Sequence, residues 1–298
     1  MATDTRVQPA GPLPVAARLT ARRQLQRWTV GLIKHLLLGI GAVFFVVPLV
    51  FMVSTSLKAL RQIAQFPPAL IPDPVIWRNY SEVFYYAPMH RYFLNTFILV
   101  APAVFGAIFT SSLAAYAFAR LRAPGRNVIF MVLLSTLMVP AFVTMIPTYI
   151  LFAELGWVGG FKPLTVPYLA GSAFFVFLLR QFFLTIPREL EDAAFMDGAG
   201  RLRIYTHVVL PLAKPVLATV TIFAFMGSWN EYMGPLIYLS NKDQYVLSLG
   251  LQVFTQVNRQ EWGLLMAAST MMVAPVILMF FLAQKHFVQG ITMSGIKG

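Results

Sequence analysis

The chain carries six long, predominantly apolar intervals, almost free of charged side chains. Leu36–Val53 has no polar side chain at all. Phe93–Ala119 and Val128–Phe152 follow, and then Pro163–Leu179, which continues past Arg180 to Ile186. The fifth interval runs from about Pro215 to Leu239, interrupted by Asn230 and Glu231, and the sixth is Trp262–Ala283. A helix rises about 1.5 Å per residue, so ~20 residues cross a ~30 Å hydrocarbon core. With their flanks the intervals predict spans over residues 31–56, 92–119, 128–152, 163–186, 209–239 and 262–284. Each must be helical, because lipid offers the backbone no hydrogen-bond partner. Barrel strands would alternate with period two, and runs such as Val43–Val50 do not. The expected fold is therefore all-α, a polytopic membrane protein with six transmembrane helices over residues 31–298, behind a tail at 1–30.

Prolines 48, 102, 140, 147 and 275 lie inside these spans. Two readings are open: ordinary kinks, or broken helices lining a path. Pro140 and Pro147 share one span, so the third is expected to bend most. In the second span Gly106, Thr110 and Ala114 recur at four-residue spacing, which makes a small-residue packing face.

Composition sharpens this picture. Hydrophobic residues make up 58% and charged residues 11%, against about 25% charge in a soluble domain. An ordinary soluble enzyme and a disordered chain are both excluded. The absence of cysteine removes disulfides, thiolate metal sites and a Cys nucleophile. The net charge of +12 could suggest nucleic acid, but no basic aromatic platform accompanies it, and none is expected as a partner. Membrane proteins collect Lys and Arg in cytoplasmic loops. Sixteen of the Lys and Arg residues fall in segments 1–35, 120–127, 180–214 and 285–298, and seven in 57–91, 152–162 and 239–262. This places both termini in the cytoplasm. Residues 1–30, with five Arg and one Asp among Pro, Ala and Gly, read as an uncleaved, mostly disordered basic tail.

Signs of catalysis are missing. No phosphate-binding G-x-x-x-x-G-K-[ST] loop, H-E-x-x-H pair or nucleophile elbow occurs, and the four His are scattered at helix ends and loops. One inner segment stands out, Ile186 to Pro215. Pro187 followed by Glu189, Glu191 and Asp192 is a helix start, because acids suit the positive N-terminal dipole. Ala193 and Ala194 leave that helix a bare patch, and Asp197-Gly198-Ala199-Gly200 is a turn. The segment is either a solvated loop or a docking element.

At these residues the chain resembles the permease subunits of ABC importers, whose loop pattern is E-A-A-x-x-x-G with L-P about a dozen residues later. Asp192-Ala193-Ala194, Gly198 and Leu210-Pro211 match it, with Asp for Glu at the first position and Glu191 directly before it as an alternative acid. Asp197-Gly198-Ala199, Trp229-Asn230-Glu231, Asn79-Tyr80, and a tail with Gln289-Gly290-Ile291-Thr292 and Lys297-Gly298 narrow the likeness to the carbohydrate-uptake branch and its smaller, maltose-type permease. The resemblance implies a division of labour. Two permeases, usually unlike, form the path, two cytoplasmic ATPase subunits drive it, and an external binding protein delivers a sugar. This chain would bind no cofactor, and ATP and Mg would belong to the ATPase. Glu191, Asp192, Ala193, Ala194, Asp197 and Gly198 would form a coupling helix seated in the ATPase, and Lys297 and Gly298 would touch it as well.

Glu231 is the one acid inside a span, and burying it is costly. It either packs helices with Asn230 as partner or lines the sugar path. Trp229 and Tyr232 would suit ring stacking, although aromatics at helical spacing more often pack between helices, and all four residues are path candidates. A polyol or glycerol phosphate could replace the sugar, since the same loop motif serves such importers. A gradient-driven transporter would need intramembrane relays, for which Glu231 alone is available.

Overall fold

The computed structural model describes residues 15–255 and 261–295, and every regular element among them is helical. The chain forms two compact units, 1–54 and 55–298. The first consists of helix α1, Val15–Ser56, whose last two residues belong to the second unit. Helix therefore replaces the disordered tail expected over residues 15–30, while residues 1–14 lie outside the described residues. The reason is local. Ala16, Ala17, Leu19, Arg22, Arg23, Gln24 and Leu25 are strong helix formers, and a helix nucleated in the span extends into them at one hydrogen bond per residue.

In the second unit α2 (Arg78–Tyr86) precedes α3 (Met89–Phe105), which runs through a π-turn at Gly106–Thr110 into α4 (Ser111–Arg120). Then come α5 (Arg126–Ser135), α6 (Ala141–Glu154), α7 (Lys162–Leu169) and α8 (Ala173–Thr185). The segment between the fourth and fifth spans holds α9 (Glu189–Met196) and α10 (Arg201–Ile204). The chain closes with α11 (Lys214–Trp229), α12 (Met233–Tyr238) and α13 (Trp262–Gly295). Among the described residues four helices are long and apolar enough to cross a bilayer, and two bent pairs raise the number to six when each counts as one span.

The bends correct the expected boundaries. The third span is not one helix, because its halves meet at 98°. Pro140 has no amide to donate and drives Val139 to an extended ψ of 117°. Pro147 stays inside α6, and Pro48, Pro102 and Pro275 stay inside α1, α3 and α13. The fifth span starts at Lys214 rather than 209, because Arg201–Leu212 lies at 81° to Lys214–Tyr238. Pro215, which suits a first helical turn, marks that start.

The fourth span is broken at Ala170–Ser172, where Gly171 has a φ of +84°. Polar groups of the π-turn and the start of α4 close the gap. Thr110 Oγ1 donates to Leu169 O at 2.7 Å, and Ser111 Oγ accepts from Ser172 N at 3.0 Å while donating to Gly106 O at 3.1 Å. The small-residue face of the second span is what lets the chains meet, since a Cβ on Gly106 would stand 1.8 Å from Tyr168 O. Below this joint α4 packs along α8 around Ala115, Leu179, Phe183 and Ile204. On the other side α11 packs against both α3 and α13, burying Tyr92, Trp229, Ala267 and Ala268.

The joint makes Gly106 intolerant of any side chain. Gly106→Ala should lower stability by about 1–3 kcal/mol, read as a fall in the thermal unfolding midpoint of the purified chain in detergent. Gly125→Ala, whose added methyl would meet no atom within 4 Å, is the control for strain without a clash.

Candidate functional site: an inner helix and a mid-span break

The short helix α9 follows Arg188 with Glu189, Glu191 and Asp192 in its first turn, where their charge faces the positive helix end. The two candidate acids then part company. Glu191 turns inward and is buried at 7% exposure. Its Oε1 lies 2.8 Å from Nε of Arg120, the last residue of α4, with side chains 9% and 3% exposed. The close N–H is not aimed at the oxygen, so the contact is an ion pair rather than an aligned hydrogen bond. A second nitrogen of the guanidinium is occupied too. Nη2 donates to Phe183 O at 2.6 Å and to Ile186 O. One side chain thus ties together the ends of α4 and α8 and the start of α9.

Asp192 is exposed, as are Ala193, Met196 and Asp197. The alanine pair therefore does not form one flat outer face. Ala193 points out, while Ala194 packs with Ala199 against the core around α4 and α8. The helix ends at Gly198, φ +78°. Ala199 N donates to Ala194 O and Gly198 N to Phe195 O, both at 3.0 Å, which is the paired closure of a Schellman turn. A Cβ on Gly198 would meet no atom within 4 Å, so glycine is required there for its backbone angle alone. The returning arm is held by Tyr205, whose hydroxyl lies 2.6 Å from Ser112 Oγ on α4.

The mid-span candidates scatter. Trp229 leaves the path. It is 0% exposed, stacks on Phe225 with centroids 5.1 Å apart, and donates from Nε1 to Met272 O at 3.1 Å. Asn230 donates to Met226 O of its own helix at 2.9 Å and is not the partner of Glu231. Tyr232 packs partly buried against the cluster of Phe152, Leu164 and Tyr238. Glu231 sits in the break between α11 and α12, where Oε1 accepts from Gly234 N at 2.9 Å and its backbone O accepts from Ser248 Oγ. It also lines a cavity together with Tyr168, near the end of α7, and Ser172 from the break in the fourth span. Lys297 and Gly298 lie outside the described residues. Arg120 is the residue that sequence reasoning misses. In the sequence it reads only as loop charge, although an Arg closing an apolar span is the signal that could have singled it out.

Broken membrane helices around a mid-span cavity, with a separate inner helix cantilevered from them, define a transport permease. The comparisons place it further: residues 106–293 match the binding-protein-dependent transport system inner membrane component, and the chain belongs to that family of ABC importer permeases. It is 35% identical over 269 residues to the sn-glycerol-3-phosphate transport system permease protein UgpE of Yersinia pestis, covering 87% of this chain and 95% of that one. It is 33% identical over 257 residues to the diacetylchitobiose uptake system permease protein NgcG of Streptomyces coelicolor, covering 85% of each. Among solved structures, a bacterial ABC transporter involved in the import of the acidic polysaccharide alginate matches with a TM-score of 0.78 at 26% identity, over 88% of this chain and 98% of that one. A gradient-driven transporter is thereby set aside. The family works with a partner permease, an ATPase and a binding protein.

Removing one half of the buried pair leaves an uncompensated charge, which costs about 3–5 kcal/mol. Arg120→Ala should lower the unfolding midpoint of the purified chain sharply. The double variant Arg120→Met with Glu191→Leu should be less damaged than the single one, since no charge is left buried.

Proposed function

We propose that the chain, paired with an unlike permease, forms the membrane path for a sugar or oligosaccharide delivered by an external binding protein. Its α9 is the coupling helix, seated on one subunit of a cytoplasmic ATPase dimer that binds the ATP and Mg, and this chain has no ATPase site. Both termini are cytoplasmic. The observation that carries the coupling role is the division of α9 into two sides. Glu191 and Ala194 fasten it to the spans, while Asp192, Ala193, Met196 and Asp197 stand exposed. A lever needs one end fixed and one end free for the partner. Asp192 is then the acid that faces a basic group of the ATPase, and Glu191 anchors from behind. The name of NgcG supports a sugar, and that of UgpE supports glycerol phosphate as the second reading.

Two outcomes test this. Ala193→Arg should leave the chain inserted and its unfolding midpoint unchanged, while the ATPase no longer co-purifies or no longer responds to loaded binding protein. Gly198→Asp adds left-handed backbone strain of about 1 kcal/mol and a charge on the exposed side, and should reduce the same stimulation. Full stimulated hydrolysis and transport by both variants would sink the coupling role. For orientation, single cysteines at Ala123 and Ser240 should label from opposite faces of the membrane, and same-side labelling would refute the topology.

A further inference from the structure

We propose that the cavity between the broken fourth and fifth spans is a subsite for an uncharged polyhydroxylated ring, and that Glu231 bars anionic solutes from it. The proposal rests on the importer reading above and narrows its substrate to a neutral sugar.

The cavity holds about 200 Å³ and is lined by Tyr168, Ser172, Phe175, Phe223, Ser228 and Glu231, with small residues between them. Its place in the fold is the first argument. The second span is Met89–Arg120, the fourth Lys162–Thr185 and the fifth Lys214–Tyr238. Ala103 and Ala107, Ser172 and Phe175, and Ala224 and Ser228 lie at or close to the middle of each, and all line this one space. Two helix interruptions, at Ala170–Ser172 and at Asn230–Tyr232, open onto it. Interrupted helices meeting at mid-depth are how transport proteins expose polar groups to a solute inside a membrane.

The lining chemistry is the second argument. Glu231 accepts one bond from Gly234 N, and a carboxylate has about four lone-pair sites, so acceptor capacity is left over. Ser228 Oγ donates to Ala224 O at 2.7 Å, which leaves its lone pairs free as acceptors. The hydroxyls of Tyr168 and Ser172 can donate or accept. Phe175 and Phe223 add aromatic faces. The set accepts more hydrogen bonds than it donates and offers an apolar wall, which matches a sugar ring with many hydroxyl donors and a C–H face. No Lys, Arg or His is among the described residues lining it. A phosphate or carboxylate would bring only acceptors and a like charge to Glu231, with no cation to offset it where the dielectric is low.

The test uses the assembled complex of this chain with its partner permease and ATPase in nanodiscs, and four probes: D-glucose, maltose, D-glucose 6-phosphate and D-glucuronate. Binding is read by saturation-transfer NMR with competition. Glucose and maltose should bind, and each anionic probe should bind roughly tenfold or more weaker than glucose. Glu231→Gln preserves an oxygen for Gly234 N, so it should fold normally and should close most of that gap. Tyr168→Phe should weaken glucose without narrowing the gap. The proposal is overturned if glucose 6-phosphate binds the wild type as well as glucose does, if Glu231→Gln leaves the ratio unchanged, or if no sugar binds. Failure of the importer reading would show separately, as a chain that purifies without any ATPase.

Discussion

A helix that stops inside a membrane leaves carbonyls and amides without partners, and lipid supplies none. In this chain the second span meets that need along most of its length. Near one end, Asn95 donates to Asp243 O and Tyr245 O, and Thr96 accepts from Leu247 N. Halfway, Thr110 and Ser111 bond the two sides of the gap in the fourth span. One residue on, Ser112 meets Tyr205. At the other end, Arg120 takes the last carbonyls of α8 and pairs with Glu191. The interruption at Ala170–Ser172 and the tilt of the inner segment are stable because this one span carries a polar group at the right height for each. The π-turn at Gly106–Thr110 belongs to the same device, since it lies beside the gap and leads directly into Ser111 and Ser112.

The sequence shows the architecture plainly and the joints poorly. Long apolar runs are unambiguous, because length and polarity alone decide whether a segment spans. The bend of the third span was legible because proline acts on its own neighbours, although the sequence did not tell Pro140, which breaks it, from Pro147, which does not. The turn at Gly198 was legible for the same reason. The gap at Ala170–Ser172 was not, although Gly171 marks it. Its stability rests on side chains some 60 positions earlier, and no periodicity links the two. The neighbours Glu191 and Asp192 differ by about 100° of rotation around the helix, so their roles separate only once the buried side is known. The two readings of Trp229 stayed open for a related reason. An indole two positions from an acid inside a span can be a stacking platform or a packing residue until Phe225 and Met272 are seen to occupy its face and its N–H.

Because α9 is closed by its own Schellman turn and tied by the buried guanidinium, it already has its final shape when the chain stands alone. A segment that had to fold on contact would lose its backbone freedom at the moment of docking. Here that loss is met when the permease itself folds. The affinity of the exposed side for the proposed ATPase would therefore be set by contact and charge, with little conformational penalty. In the coupling role proposed above, a small interface of a few side chains would then suffice to recruit a motor, and force applied at Ala193 would not be dissipated in bending the helix that receives it.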